Sequence, residues 1–290
     1  MRVLLAVDAS PDSRNAAQII KHLAEPPELH VLNVVDLEAL KHGYVTPGIS
    51  ADYYERYRSE VSEVAERVLY EIRDELRPYC QQIRLIADTG DAAESIVQTA
   101  EETKAALVIL GQRGMTATYA FLLGGVSQKV ATYAPCSVLV VKGSALTLNR
   151  VLLAVDGSEH ADKAAQFLVR TPFKPPLRLT IVTVWPAQGS QMTASATGPL
   201  DPSAADQTVQ TSGEDFRRGV VERFGTGPYE VETEWLQGDP PFAILDAAAR
   251  HGAQVIVVGA RGMKAIKRFL LGSVSQKVLV HAGCSVLIVR

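Results

Sequence analysis

The chain has 290 residues, of which 47% are apolar and 21% charged, and its formal net charge at pH 7 is -3. This length allows two domains of roughly 100 to 200 residues each. The slightly negative charge offers no general attraction to nucleic acid or anionic membranes, and the apolar runs are far shorter than the roughly 20 residues of a membrane span. We therefore expect neither as a partner.

The first residues enter a strand pattern at once, without a basic segment followed by an apolar one. We therefore expect no secretory signal and a cytoplasmic location. The chain has three cysteines and no CxxC pair. We expect Cys80, Cys136 and Cys284 to be buried core thiols without a disulfide framework. The six histidines show no paired metal-ligand spacing, so no protein metal site is expected.

An internal repeat organises the chain. Residues 3–10 read VLLAVDAS and residues 151–158 read VLLAVDGS, with seven identities in eight positions at an offset of 148. Residues 111–141 align without a gap with residues 259–289 at the same offset, with 20 identities in 31 positions. A period of this length indicates duplication of a whole domain.

The repeat predicts two domains, at residues 1–145 and 146–290, with a short link near residues 142–150. Each copy contains continuous apolar runs without polar alternation, as expected of parallel strands that helices cover on both faces. The predicted strands are 3–7, 29–35, 83–87, 107–110 and 138–141 in the first copy, and 151–155, 177–184, 231–236, 255–258 and 286–289 in the second.

Helical patterns separate these strands. The Ser-Pro pair at residues 10–11 supplies an N-cap and a first-turn proline. Residues 61–76 follow helical spacing, and an Asp-Pro pair gives a capped start to a helix over residues 239–250. Alternating strands and helices are typical of a doubly wound α/β sheet. Residues 186–210 are polar and predict a loop, which is either a lid over a ligand or a tolerated insertion.

A glycine spacing recurs near the end of each copy, with two residues between the first two glycines and nine between the second and third. Glycine lets the backbone approach a ligand without an intervening side chain, and the start of the next helix favours phosphate oxygens. Close packing of a helix on a strand also requires glycine, and this alternative stays open. The glycines are Gly111, Gly114 and Gly124, followed by Gly125, and Gly259, Gly262 and Gly272, followed by Ser273.

Several motifs occur in the same order in both copies: the VLLAVD strand, a Gly-Asp turn before a helix, the FLLG-x-VSQKV segment and the closing CSVL strand. Their combination resembles the universal stress protein family over nearly the whole chain. The resemblance implies a five-stranded parallel sheet of order 3-2-1-4-5 in each copy. It also implies ATP in the crevice at the carboxyl ends of strands one and four, where such sheets bind ligands.

The resemblance further implies which residues hold the nucleotide. Asp8 and Asp156 would approach adenine and ribose, and the backbone of Val34 and Val184 would contact adenine. The phosphates would meet the glycine loops and the following helices, and Mg²⁺ could accompany them, held mainly by phosphate oxygens and water. The implied phosphate residues are Gly111, Gly114, Gly124, Gly125 and Ser127 in the first copy, and Gly259, Arg261, Gly262, Gly272, Ser273, Val274 and Ser275 in the second, where the two serines could donate hydroxyl hydrogen bonds.

The two copies differ around their glycine loops. Gly125 stands where the family usually has serine or threonine, and where the second copy has Ser273. Three basic residues of the second copy, Lys264, Lys267 and Arg268, replace Thr116, Tyr119 and Ala120. We therefore predict tighter ATP binding by the second copy. The alternatives are that the basic residues form a solvated helix face and that the Gly125 N–H suffices.

The resemblance implies an ATP-binding regulatory protein of the stress response, and the motifs absent from the sequence favour this function over an enzyme. The sequence lacks both the G-x-x-x-x-G-K-[ST] phosphate loop and the G-x-S-x-G nucleophile motif. Each site offers one carboxylate, Asp8 or Asp156, and this aspartate could simply cap the turn after its strand. No catalytic residue is therefore predicted. Slow ATP hydrolysis or adenylyl transfer is one alternative, and a module that binds other proteins without nucleotide is another.

Assembly is expected to involve the last strand of each copy. Single domains of the family commonly pair, so we expect the two copies to pair within the chain through residues 137–141 and 285–289. A homodimer of the whole chain and an unidentified protein partner stay open.

Overall fold

A computed structural model describes residues 1–36, 51–115, 123–143, 147–170, 173–185, 218–225, 229–262 and 271–290. These residues form two compact units. The first unit contains Met1–Thr147 together with Gly283–Ile288 and Arg290, and the second contains Leu148–Ala282 together with Val289.

The first unit alternates strands and helices along the chain. Two short 3-10 turns, Ile19–His22 and Arg77–Tyr79, extend its first two helices. Its elements are β1 (Arg2–Ala6), α1 (Pro11–Gln18), β2 (Glu28–Val35), α2 (Ala51–Leu76), β3 (Gln82–Thr89), α3 (Ala92–Glu102), β4 (Leu107–Gly111), α4 (Gly125–Tyr133) and β5 (Ser137–Val141), joined by β10 (Ser285–Val289) from the end of the chain.

The strands of the first unit follow the order β3-β2-β1-β4-β5-β10. The first five are parallel, with Leu4 of β1 opposite His30 on one side and Val108 on the other. β10 is antiparallel to β5 and places Leu287 opposite Leu139. All five residues of β5 are buried, as are the first four of β4, because central strands of a parallel sheet are covered on both faces.

The second unit repeats this arrangement with the parallel order β8-β7-β6-β9, in which Leu153 lies opposite both Ile181 and Val257. Its elements are β6 (Arg150–Ala154), α5 (Glu159–Val169), β7 (Leu177–Trp185), β8 (Tyr229–Gln237), α6 (Pro240–Arg250), β9 (Val255–Gly259) and α7 (Ser273–His281). The predicted fold class of tandem doubly wound domains is confirmed. The strand order 3-2-1-4-5 is seen in full in the first unit and as 3-2-1-4 within the second.

Two strands differ from their prediction. β3 and β8 are longer than their apolar runs, and β8 alternates between exposed and half-buried residues along most of its length. Each lies at the end of its unit's strand order and pairs with one strand there, so water reaches part of its surface. The prediction that every strand is covered on both faces is therefore wrong for these two.

The predicted cap at Ser10 is confirmed, whereas the capped start predicted at the Asp-Pro pair of residues 239–240 is wrong, because Asp239 makes no side-chain hydrogen bond to its helix. Ser10 accepts a hydrogen bond from the N–H of Ser13 at 3.1 Å, and Ser158 accepts one from Ala161 at 3.1 Å. No helix in the described part of the chain is long and apolar enough to cross a membrane. The predicted loop at residues 186–210 lies outside the described residues.

The cysteines are less buried than expected. Cys80, Cys136 and Cys284 are free thiols of intermediate exposure. Burial nevertheless raises the pKa of Cys80 and of Cys136 to about 11. Since the thiolate is the reactive form, this shift makes both side chains poor nucleophiles near neutral pH.

Candidate functional site

Each unit has a cleft at the carboxyl ends of its first and fourth strands, the point where the strand order reverses and where open α/β sheets bind ligands. The first cleft is lined by Ala6, Val7, Asp8, Ser13, Leu32, Val34, Ala92, Ile96, Leu110, Gly111, Arg113, Gly114, Val126 and Ser127. The second is lined by Ala154, Val155, Asp156, Ser158, Ala161, Val182, Val184, Pro240, Ile244, Val258, Gly259, Arg261, Gly262, Val274 and Ser275.

An aspartate follows the first strand of each unit and organises the turn there. Oδ1 of Asp8 accepts hydrogen bonds from the N–H and the hydroxyl of Ser10 at 3.0 and 2.5 Å. Oδ1 of Asp156 accepts one from the Ser158 N–H at 3.0 Å. The turn-capping role that the sequence left open is therefore observed in both copies.

Asp8 also connects this turn to the glycine loop. Its Oδ2 accepts a hydrogen bond from the N–H of Met115 at 2.9 Å, and the Ser10 hydroxyl lies 3.3 Å from the carbonyl oxygen of Arg113. In the second unit the hydroxyl of Ser158 lies 3.3 Å from the carbonyl oxygen of Arg261. The loop after the fourth strand is thereby held against the loop after the first.

The first glycine of each motif is required by helix packing. A Cβ at Gly111 would lie 2.7 Å from the carbonyl carbon of Asp12, and one at Gly259 would lie 2.6 Å from that of His160. Asp12 and His160 belong to the first turns of α1 and α5, and the hydrogen-bonded helix backbone resists the shift that a Cβ would require. The packing alternative from the sequence therefore accounts for this position.

The second glycine passes close to the aspartate. A Cβ at Gly114 would lie 2.7 Å from Oδ2 of Asp8, and one at Gly262 would lie 2.5 Å from Oδ2 of Asp156. Both glycines are exposed and line their clefts. A side chain at either position would displace the carboxylate and enter the cleft.

The third glycine begins the helix beside the cleft. The N–H of Gly124 donates to the carbonyl oxygen of Gln112 at 3.0 Å, and that of Gly272 donates to Ala260 at 2.7 Å. These glycines are the N-caps of α4 and α7; no side chain caps either helix, and neither first turn contains an acidic residue. The positive end of each helix is thus left available to an anion.

The predicted serines have different surroundings. Ser127 and Ser275 are buried, and their hydroxyls donate to the carbonyl oxygens of Gly111 and Gly259, each at 2.7 Å. The expected role of Ser275 as a hydroxyl donor to phosphate does not fit this hydrogen bond, because the single proton is already donated to β9. Ser273 is exposed at the first position of α7. A Cβ at the equivalent Gly125 would meet no atom within 4 Å.

An arginine precedes the second glycine in both copies and lines each cleft. Nε of Arg113 lies 3.3 Å from Oδ2 of Asp12, whereas Nε of Arg261 donates to Nε2 of His160 at 3.1 Å. The sequence reasoning included Arg261 but missed Arg113, although the two residues align at the offset of 148.

The opposite wall of each cleft is apolar. Val34 and Val184 lie near the ends of β2 and β7 and are half-buried. The sequence reasoning missed the contribution of the third and sixth helices, which provide Ile96 and Ile244. The Gly-Asp turn that precedes each of these helices in the sequence could have indicated that the helix starts beside the cleft.

The structure thus brings most of the predicted site residues into the two linings. These are Asp8, Val34, Gly111, Gly114 and Ser127 in the first, and Asp156, Val184, Gly259, Arg261, Gly262, Val274 and Ser275 in the second. Gly124, Gly125, Gly272 and Ser273 begin the adjacent helices and are not part of the linings. The predicted charge difference involves residues that lie outside the described part of the chain, namely Lys264, Lys267, Arg268, Thr116, Tyr119 and Ala120.

The architecture and the repeated cleft define a tandem, doubly wound α/β protein of the Rossmann-like class. The model of the universal stress protein family matches residues 1–142 and, a second time, residues 147–290. The chain therefore belongs to the universal stress protein family, as a member with two tandem domains.

Individual relatives agree with this assignment. The chain is 33% identical over 147 residues to universal stress protein YxiE of Bacillus subtilis, a match that covers 49% of this chain and 99% of the relative. A solved universal stress protein from Archaeoglobus fulgidus covers 100% of this chain and 96% of its own length, with 25% identity and a TM-score of 0.65. A putative universal stress protein from Pseudomonas aeruginosa, with 15% identity, a TM-score of 0.66 and coverage of 99% and 92%, shares the fold.

Proposed function

We propose that both clefts bind ATP and that the chain is a nucleotide-binding regulatory protein of the stress response. The observation that carries this proposal is the uncapped start of α4 and of α7 beside a cleft-lining arginine. Backbone N–H groups at a helix start and a guanidinium both favour phosphate oxygens. Their repetition in both units supports the same class of ligand for each cleft.

The remaining walls suit the other parts of ATP. Val34 and Val184 offer an apolar surface to the adenine ring, next to strand ends whose backbone can take part in hydrogen bonds. Asp8 and Asp156 offer carboxylate oxygens, which are acceptors for ribose hydroxyls. The described residues contain no cluster of side chains suited to a metal ion, so a Mg²⁺ ion that arrives with ATP would be held mainly by phosphate oxygens and water.

The hydrogen bonds of Asp8 favour binding over hydrolysis. Its carboxylate accepts three hydrogen bonds, two from Ser10 and one from the N–H of Met115. These donors stabilise the charged carboxylate and orient it towards the turn and the loop, whereas a general base must be positioned to take a proton from water. We therefore assign it a structural and ligand-positioning role, and the bound nucleotide would stabilise the surface presented to protein partners.

The test is to identify nucleotide in the purified protein by mass spectrometry and then to titrate ATP. We expect up to two ATP molecules per chain. Gly262→Asp and Gly114→Asp should each weaken binding at one site by at least about tenfold, since roughly 1.4 kcal/mol of charge repulsion suffices for that factor. The two changes together should abolish binding.

A matched control introduces the same charge elsewhere. Gly283 is exposed, and a Cβ there would meet no atom within 4 Å, so Gly283→Asp should bind like the unmodified chain. Absence of nucleotide after purification, followed by no binding on titration, would contradict the proposed function and favour a module that binds other proteins.

A further inference from the structure

The two clefts differ in the charge that faces the loop arginine. The second residue of α1 is Asp12, and the residue 148 positions later, the second residue of α5, is His160. We infer that this exchange gives the two sites different phosphate preferences, so that the second cleft discriminates more strongly in favour of ATP over AMP. The inference rests on the proposed nucleotide binding.

In the first cleft, the arginine is paired with a carboxylate. Nε of Arg113 lies 3.3 Å from Oδ2 of Asp12, and the two side chains are only 29% and 20% exposed. Partial burial weakens screening by water and salt. The carboxylate therefore offsets part of the attraction that the guanidinium would exert on additional phosphate groups.

In the second cleft, the arginine meets an imidazole. Nε of Arg261 lies 3.1 Å from Nε2 of His160. An arginine Nε can only donate, so the imidazole nitrogen is the acceptor and the ring is neutral in this arrangement. The pair of Arg261 and His160 consequently carries one more positive charge than the pair of Arg113 and Asp12.

Glu159, at the position of Pro11 in the first unit, reduces this difference only in part. It interacts electrostatically with Arg261, but its side chain is 80% exposed and its carboxylate is paired with Lys163 at 2.8 Å. Asp156 lines the second cleft, and Asp8 occupies the same place in the first. Within the described residues, the clefts therefore have matching aspartates and arginines, and they differ in the group behind the arginine.

A comparison of ATP with AMP isolates the contribution of the β- and γ-phosphates, because both ligands present the same adenine and ribose. Exchanging residues 12 and 160 then isolates the effect of this charge. The ratio of ATP affinity to AMP affinity should be about three- to tenfold larger at the second site, the size expected for one partly exposed charge. His160 acts through Arg261 and is therefore a positioning residue.

The experiment uses the full chain with one site blocked at a time. Gly114→Asp leaves the second site and Gly262→Asp leaves the first, and each chain is titrated calorimetrically with ATP and with AMP at one fixed Mg²⁺ concentration. Adding His160→Asp to the Gly114→Asp chain, in which the second site is intact, should lower the ratio of ATP affinity to AMP affinity about three- to tenfold. Adding Asp12→His to the Gly262→Asp chain, in which the first site is intact, should raise this ratio by a similar factor. The conservative His160→Asn, which keeps a neutral acceptor, should restore the ratio.

The outcomes separate this inference from the proposed function. If the unmodified chain binds neither nucleotide, the proposed function and this inference are both wrong. If ATP binds but the two blocked chains have equal ratios of ATP affinity to AMP affinity, the inference that the sites differ is wrong. It is also wrong if the exchanges leave these ratios unchanged in folded protein. Should an exchange prevent folding, Arg261→Gln must reduce the ratio of the second site more than Arg113→Gln reduces that of the first, and equal reductions would overturn the inference.

Discussion

Single residues of the glycine motif have separate physical roles. Gly259 is needed because a Cβ there would lie 2.6 Å from the carbonyl carbon of His160. Gly262 lies beside the carboxylate of Asp156, and Gly272 donates its N–H to Ala260. Gly125, by contrast, faces open space. The absence of a hydroxyl at Gly125 is therefore not imposed by steric crowding.

This difference predicts opposite effects of the same substitution. Gly259→Ala should lower the free energy of unfolding by about 1–3 kcal/mol, because the backbone of α5 must shift to admit the methyl group. Gly125→Ala should leave it unchanged or raise it by up to about 1 kcal/mol, since alanine loses less conformational entropy in a helix. Urea unfolding of both variants measures the effects. Equal destabilisation would show that Gly259 does not pack as described.

The sequence could identify these glycines but not distinguish their roles. Spacing shows that Gly111 and Gly259 recur, whereas the need for glycine depends on a helix that begins about 100 residues earlier in the chain. The arginine partners Asp12 and His160 were missed for the same reason. A contact between distant segments leaves no local pattern in either one.

At the scale of secondary structure, five of the described helices begin in two ways. Side chains cap α1, α3 and α5 through Ser10, Asp91 and Ser158. Glycines begin α4 and α7 beside the clefts. Each side-chain cap satisfies one or two of the first N–H groups of its helix, whereas no side chain caps the two helices at the clefts. A helix has four such groups without a partner inside it.

The cap of α3 provides a test at this scale. Asp91 accepts hydrogen bonds from the N–H groups of Ala93 and Glu94 at 2.8 and 3.0 Å, whereas the equivalent Asp239 makes no such cap to α6. Asp91→Ala should therefore lower the free energy of unfolding at neutral pH by about 1 kcal/mol. Asp239→Ala should cost clearly less in the same urea titration, and equal losses would contradict the capping geometry.

The contribution of Asp91 also has a defined pH dependence. The hydrogen bond from the Glu94 N–H is the main influence lowering the pKa of Asp91, with a further contribution from Lys129. A carboxyl group whose pKa falls on folding stabilises the folded state above its unfolded pKa of about 3.9. This stability is lost as the pH falls through the lower folded-state value. The difference between the unmodified chain and Asp91→Ala should therefore shrink below about pH 4.

The strands show what apolar patterning can and cannot predict. Runs such as Val138–Val141 and Val286–Val289 mark buried strands correctly, because burial on both faces leaves a continuous apolar signal. β8 alternates Glu230, Glu232 and Glu234 with less polar residues, so its apolar run is shorter than the strand. Pairing with β7 extends the strand beyond that run.

At the scale of the whole molecule, the duplicated fold gives two candidate sites, and a nucleotide bound at each should stabilise its own unit. A ligand that binds only folded protein at 100 times its Kd adds about 2.7 kcal/mol to the free energy of unfolding. ATP should therefore raise the midpoint of urea unfolding of the full chain. Either single Gly→Asp change should reduce the rise, and the Gly114→Asp, Gly262→Asp pair should remove it. An undiminished rise in the double variant would place ATP outside the two clefts.

The pairing of Asp12 with Arg113, and of His160 with Arg261, has a consequence for how such a protein can evolve. An assembly of identical subunits inherits every coding change at all of its equivalent sites. In this covalently joined duplicate, one codon can alter one cleft while the other retains its original chemistry. Aspartate and histidine at equivalent positions are such a divergence. If one cleft responds to phosphate number and the other does so weakly, a single chain could register the relative abundance of two nucleotides instead of their total.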